Sequence, residues 1–219
     1  FSIQNGGSYP AAFTDPTGPM TSWEPAAWTI EIAFKPENVG YRTLVGRDAQ
    51  GVATQDAALA ALYLQAQPDN SVAIKFADRQ GYWHEAISVP DAVQGFDWGT
   101  DPTGSTGHWY QLAATSDGST LSLYLNDIVA GAGFQLIAQT DMTASGSPDT
   151  TLTNGSNGNP TSSGDWNAGV WSVGRGLYNG GHVDRAYGFL DEIRISDTAL
   201  ALQDFITIEY SAPMSLVVN

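Results

Sequence analysis

Hydrophobic and polar positions alternate with period two through much of this chain, and that rhythm predicts strands. In residues 28–34, Trp28, Ile30, Ile32 and Phe34 fall on one face while Thr29, Glu31 and Ala33 fall on the other. Lys35-Pro36 closes the run, because proline brings no donor to a ladder. Residues 41–47 and the second half of 56–65 read as further strands, the latter turning at Gln67-Pro68-Asp69-Asn70. Residues 71–77 and 82–89 form a hairpin with Trp83, Ile87 and Val89 expected inward and Tyr82, His84, Ala86 and Ser88 outward. Residues 108–115 and 120–126 flank Ser116-Asp117-Gly118-Ser119, and an Asp-Gly turn between alternating apolar runs is a strong hairpin signal.

Strands are also expected at 134–139, 170–175 and 187–196, with a short strand at 1–9 broken by Asn5-Gly6-Gly7. Residues 143–165 are polar and low in complexity and predict a mobile surface loop. One short helix is expected at 199–205, after Ser196-Asp197-Thr198, and 206–219 returns as a terminal strand. About a dozen strands and one helix, with no linker-like break, predict an all-β antiparallel sandwich forming one jelly-roll domain over residues 1–219.

The stretch 187–196 carries one anomaly. Asp191 shares the parity of Phe189, Ile193 and Ile195, which aims a carboxylate at the core. Backbone amides, a cation or a metal ion must then compensate it.

Charge narrows the range of partners. The 219 residues hold 8 Lys+Arg against 23 Asp+Glu, a net charge of −15. Such a surface repels nucleic acid and anionic membranes, and polyanionic glycans on approach. No apolar run approaches a membrane span. With zero cysteines, disulfide scaffolds, thiol catalysis and thiolate metal sites are excluded. No signal peptide is visible, and Phe1 reads as a mature or a trimmed start, the first of which would follow removal of a leader. Asn154-Gly155-Ser156 is a glycosylation sequon. Together with the Gly-, Ser- and Thr-rich composition, these features point to a secreted, extracellular protein.

Four segments, WTIEIAFKP with TLVGRD, HWYQLAATSDGSTLSLYLND and GFLDEIRISDTAL, resemble the laminin-G-like, concanavalin A-like lectin/glucanase jelly rolls in order and spacing. The resemblance implies a fold shared by lectins, binding modules, adhesion domains, glycosidases and lyases. It also implies a structural Ca2+ held by Asp191 with backbone carbonyls near Asn5, Gly6 and Gly7. The plain alternative is a carboxylate satisfied by backbone amides or an arginine.

Two clusters are candidates for chemistry. Tyr82 and His84, at i and i+2 beside Arg79, combine a ring, an imidazole and a guanidinium, suited to sugar stacking or to proton transfer. Glu85 points to the opposite face from His84. Trp166, Arg175, Tyr178, His182 and Asp184 flank a glycine-rich segment expected to approach the 78–85 hairpin, so that His84 and His182 share a groove. The ligand-binding set is thus Arg79, Tyr82, His84, Trp166, Arg175, Tyr178 and His182. Glu31 with Arg194, and Arg47 with Asp48, are expected as structural ion pairs.

No E-x-D-x-x-E strand, G-x-S-x-G, P-loop or H-E-x-x-H occurs. The leading expectation is a secreted protein that recognises a neutral cell-wall or plant polysaccharide. One alternative is a glycan-active hydrolase or lyase using Tyr82, His84 and Asp184 as catalytic groups. Another is a structural or adhesive domain without a groove.

Overall fold

The computed structural model describes residues 2–3, 11–37, 40–156 and 168–208. Fourteen strands are described: β1 (Ser2–Ile3), β2 (Ala12–Phe13), β3 (Trp28–Pro36), β4 (Arg42–Arg47), β5 (Leu62–Ala66), β6 (Val72–Ala77), β7 (Trp83–Ile87), β8 (Tyr110–Ser116), β9 (Thr120–Asp127), β10 (Gln135–Asp141), β11 (Trp171–Val173), β12 (Gly176–Tyr178), β13 (Gly181–Val183) and β14 (Gly188–Ser196). A four-residue helix, α1 (Pro19–Ser22), has proline in its first turn, where the missing N–H costs nothing.

The strands build two six-stranded antiparallel sheets. The front sheet has the order β1-β14-β3-β8-β9-β10 and the back sheet β2-β11-β4-β5-β6-β7, while β12 and β13 form a separate hairpin. The expected antiparallel β-sandwich is what forms.

Trp28, Ile30, Ile32 and Phe34 of β3 are fully buried and join Leu112, Leu121 and Leu123 against Leu62, Leu64, Ile74 and Phe76 of the back sheet. Trp28 meets Phe76 edge-on at 5.5 Å. Each such side chain contributes about 1.5–3 kcal/mol on burial.

The outward positions of β3 are buried as well, because residues 198–208 cover them. Thr29 Oγ1 donates to Thr198 O and accepts from Leu200 N–H. Glu31 Oε1 accepts from Ile206 N–H, and Gln111 Nε2 donates to Ile206 O. The helix expected at 199–205 is not formed: the segment holds one 3-10 turn, Leu202–Asp204. Arg194 does pair with Glu31, Nε to Oε2 at 2.5 Å.

Three other expectations are corrected. First, Phe189 and Asp191 do share a face, but it is the outer one. Leu190 is the inward residue, opposite Phe34. The register then shifts between Asp191 and Arg194, at Glu192 with φ 46, a β-bulge that returns Ile195 to the core side. Ile193, at this bulge, is 38% exposed.

Second, the β6–β7 hairpin is turned over. His84 and Ala86 are buried, while Trp83 is half-buried and Ile87 and Val89 are exposed. His84 faces inward because Asp78 meets it there, Oδ2 to Nε2 at 2.9 Å. Asp78 Oδ1 accepts the N–H groups of Gln80 and Tyr82 and so builds the turn as well.

Third, the 143–165 segment is not loop throughout. Leu152 is fully buried and bridges Asp78, and Met142–Ser145 is a 3-10 turn; residues 157–167 lie outside the described residues.

Arg47 ends β4 inside the protein. Its guanidinium donates to the carbonyls of Gly169, Thr153, Met20, Thr21 and Trp23 and lies 5.0 Å from the Trp171 ring. Burial brings its pKa down to about 10, against the opposing pull of Glu24. It does not pair with Asp48 as expected. It staples α1 and the 153 and 169 segments to β4, while Asp48 turns to the β12–β13 side.

Candidate functional site

The outer face of the back sheet is set by the parity that buries Leu62, Leu64, Ile74 and Phe76. Tyr63 and Gln65 on β5, Lys75 on β6 and Glu85 on β7 alternate with those core residues and point away from them. The β12–β13 hairpin lies over part of this face. Leu177 is fully buried with Ala60 and Tyr63. Tyr63 Oη accepts from Ala60 N–H at 2.7 Å and donates to Leu177 O. Burial raises the Tyr63 pKa, so that hydroxyl stays protonated in its structural role.

A cleft of about 330 Å³ remains beside the hairpin, lined by Tyr41, Leu59, Tyr63, Gln65, Lys75, Tyr178 and Asp184. This lies at the small end of the range for ligand pockets. Tyr41 and Tyr178 are 50% and 46% exposed, which leaves aromatic surface for stacking. Lys75 is half-buried, and burial lowers its pKa while Glu85 and Asp69 pull the other way. Among the described residues its ammonium makes no hydrogen bond and no ion pair within 4 Å.

Asp184 closes the cleft in the left-handed region, φ 51, a strained conformation for a non-glycine residue. Its carbonyl accepts from Thr43 N–H at 2.7 Å. Burial raises its carboxyl pKa and Arg42 restrains the rise. The cleft therefore combines two exposed aromatic side chains, an unspent ammonium, an amide and a carboxylate.

Of the residues proposed from sequence, Tyr178 and Asp184 meet in this cleft. Arg175 and His182 are brought together beside the same hairpin, both on Asp48 Oδ2, at 3.8 and 3.0 Å. His84 does not share a groove with His182: it is buried against Asp78, and β7 lies three strands from β4, after which Asp48 follows. Tyr82 is 38% exposed but has no imidazole beside it on an open face. Arg79 pairs with Glu24 at 3.2 Å and Asp149 at 3.7 Å. Trp166 lies outside the described residues. Asn154 is half-buried, with Oδ1 accepting from Ser156 N–H.

The calcium implied by the family resemblance would join Asp191 to carbonyls near Asn5, Gly6 and Gly7. Asp191 is exposed and accepts Glu192 N–H, and Asn5, Gly6 and Gly7 lie outside the described residues. Among the described residues no three Asp, Glu, His or Cys side chains converge.

Sequence reasoning missed Tyr41, Leu59, Tyr63, Gln65 and Lys75. The signal was there in part: Tyr63-x-Gln65 and Lys75 interrupt apolar runs at the outward parity of two adjacent strands.

No family model matches the chain, and no curated protein matches it. Solved structures do. The sandwich is similar to the CBM40 of the Ruminococcus gnavus IT-sialidase, with 14% identity and a TM-score of 0.55 over 84% of this chain and 82% of that one. It is also similar to part of the NanB sialidase from Streptococcus pneumoniae, with 16% identity and a TM-score of 0.59 over 94% of this chain. A third match is the leech intramolecular trans-sialidase, with 14% identity and a TM-score of 0.54 over 81% of this chain. The chain shares their β-sandwich fold. It spans only 28% and 22% of the two sialidase chains.

Proposed function

We propose that this chain is a carbohydrate-recognition domain whose site is the cleft between β5, β6 and the β12–β13 hairpin. The observation that carries the reading is the lining itself: exposed Tyr41 and Tyr178 around an unpaired Lys75, with Gln65 and Asp184 in reach. Sugar C–H faces pack on aromatic rings, and hydroxyls are held by carboxylate and amide groups. Lys75 favours a sugar carrying a carboxylate, since a half-buried ammonium without a partner gains most from an anion. That local cation revises the neutral cell-wall or plant polysaccharide expected from the net charge of −15.

The fold supports this reading, because it occurs in a sialidase module whose designation is carbohydrate-binding. The four laminin-G-like, concanavalin A-like segments and the two six-stranded sheets support placement in that superfamily. The composition supports a secreted, extracellular setting.

The glycan-cleaving alternative has less support. Most glycoside hydrolases place two carboxyl groups across the scissile bond, and among the described lining residues Asp184 is the one carboxylate. His84 is held in the core by Asp78, away from the proposed Tyr82–His84–Asp184 centre.

The test is titration calorimetry with neutral, uronate-containing and sialylated oligosaccharides. Binding is expected within the acidic set, weakened about 2- to 10-fold by Tyr178→Ala, as expected for losing 0.5–1.5 kcal/mol of ring packing. Folded protein that binds nothing in the panel would overturn the proposal.

A further inference from the structure

We infer that the cleft continues into a second sugar subsite formed by Trp83, Glu85 and Lys75, so that the ligand is an oligosaccharide of at least two residues leaving across the β7 edge. This rests on the carbohydrate reading of the cleft.

Tyr63, Lys75 and Glu85 face one another across three strands in a single outward row. With strands about 4.8 Å apart, the row runs about 10 Å from the cleft to the edge. Trp83 stands on the same face, paired with Ala77. It meets the Tyr63 ring at 6.2 Å and 62°, and its Nε1 donates to Glu85 Oε2 at 3.3 Å. The indole is half-buried and Glu85 is exposed. The indole packs against Ala77 and its neighbours Val52, Ala53 and Ala61 and keeps part of its surface in solvent.

Direction follows from what bounds the face. At one end the β12–β13 hairpin closes it through the Tyr63–Leu177 bond and the Leu59–Tyr178 bridge. At the other end β7 is the last strand of its sheet; Thr140 of β10 donates to the Glu85 carbonyl on that edge, while Glu85 itself stays exposed on the outer face. A cleft closed at one end and open at the other takes a chain by its end. One sugar sits between Tyr178, Asp184 and Lys75; the next reaches Trp83, with Glu85 placed to accept hydroxyls. Lys75 lies between the two and has donors for both.

The experiment uses titration calorimetry with one- to four-residue members of the oligosaccharide panel above. For wild type, affinity rises about tenfold or more from one residue to two and then levels. Trp83→Ala removes that rise while leaving monosaccharide affinity within about twofold, and Glu85→Ala, at an exposed position, reduces the rise. Should Trp83→Ala misfold, Trp83→Phe serves, with loss of the indole fluorescence change that disaccharide but not monosaccharide produces. Equal affinity at every length, or a length dependence indifferent to Trp83 and Glu85, overturns the second subsite. If Tyr178→Ala still weakens binding in that case, the cleft itself stands. Absence of binding to every probe removes both.

Discussion

Replacing Lys75 by methionine should make the protein more stable and less able to bind. On β6 the lysine stands between Ala73 and Ala77 and opposite Tyr63 and Glu85, half-buried and without a partner at bonding distance. Folding strips water from its ammonium, which is why its pKa lies below the ordinary 10.5. Methionine keeps the chain length, opens no cavity and needs no hydration. It forfeits only a through-space attraction to Glu85 and Asp69.

Stabilising single substitutions commonly gain about 0.5–2 kcal/mol. We expect the lower half of that range, a rise in Tm of about 1–4 °C for a chain of this size. The pH dependence has a definite sign. Below its depressed folded pKa, Lys75 is charged in both states and the penalty is complete. Between that value and 10.5 the unfolded chain holds more protons than the folded one, so wild-type stability rises with pH. The advantage of Lys75→Met should therefore be full at neutral pH and shrink toward 10.5. Calorimetric melts at pH 7 and near 10, with binding titrations at pH 7, test both halves. A variant that melts lower than wild type, or that binds acidic oligosaccharides undiminished, refutes the reasoning.

Arg47→Met should leave five carbonyls without their donor, at roughly 1–3 kcal/mol for each left dry. Relief of the buried charge offsets part of this, for a net loss of about 3 kcal/mol read as a lower guanidinium midpoint with unchanged slope. His84→Gln should cost about 1–3 kcal/mol by stranding Asp78, yet leave oligosaccharide affinity within twofold. Abolished binding by a protein that still melts cooperatively would put His84 back at the site. Burial, followed by Arg42 and Asp97 in opposite senses, raises the pKa of Glu37 above its ordinary 4.5. Glu37→Gln should thus be more stable than wild type at pH 7. The difference should close as pH falls through the folded pKa and past 4.5, below which the carboxyl is protonated in both states, as urea titrations across that range would show.

What the sequence revealed divides along a physical line. Strand positions and the sandwich followed from period two, since burial of one face is a local constraint that each segment states for itself. The face of a strand was legible only where no buried polar group competed. In β3 the apolar set faces inward without contest. In β7 it does not, because Asp78, six residues earlier and itself buried, takes His84 inside and leaves Trp83 on the open face. Hydrophobicity alone ranks Trp83 as the inward residue. In β14 the left-handed Glu192 inserts a bulge that no alternation can signal.

The site was half legible for the same reason. Tyr178 and Asp184 stood out as aromatic and acidic residues around a glycine-rich turn. Lys75 and Tyr63 looked like ordinary interruptions of buried strands, because what makes them a site is the hairpin laid over part of their face. That hairpin is fixed by long-range bonds, His182 to Asp48 across 134 residues and Tyr63 to Leu177 across 114. Such contacts are decided by the packed fold. The cleft is accordingly a product of two layers: a sheet face written in the sequence two residues at a time, and a cover whose position only the assembled sandwich determines.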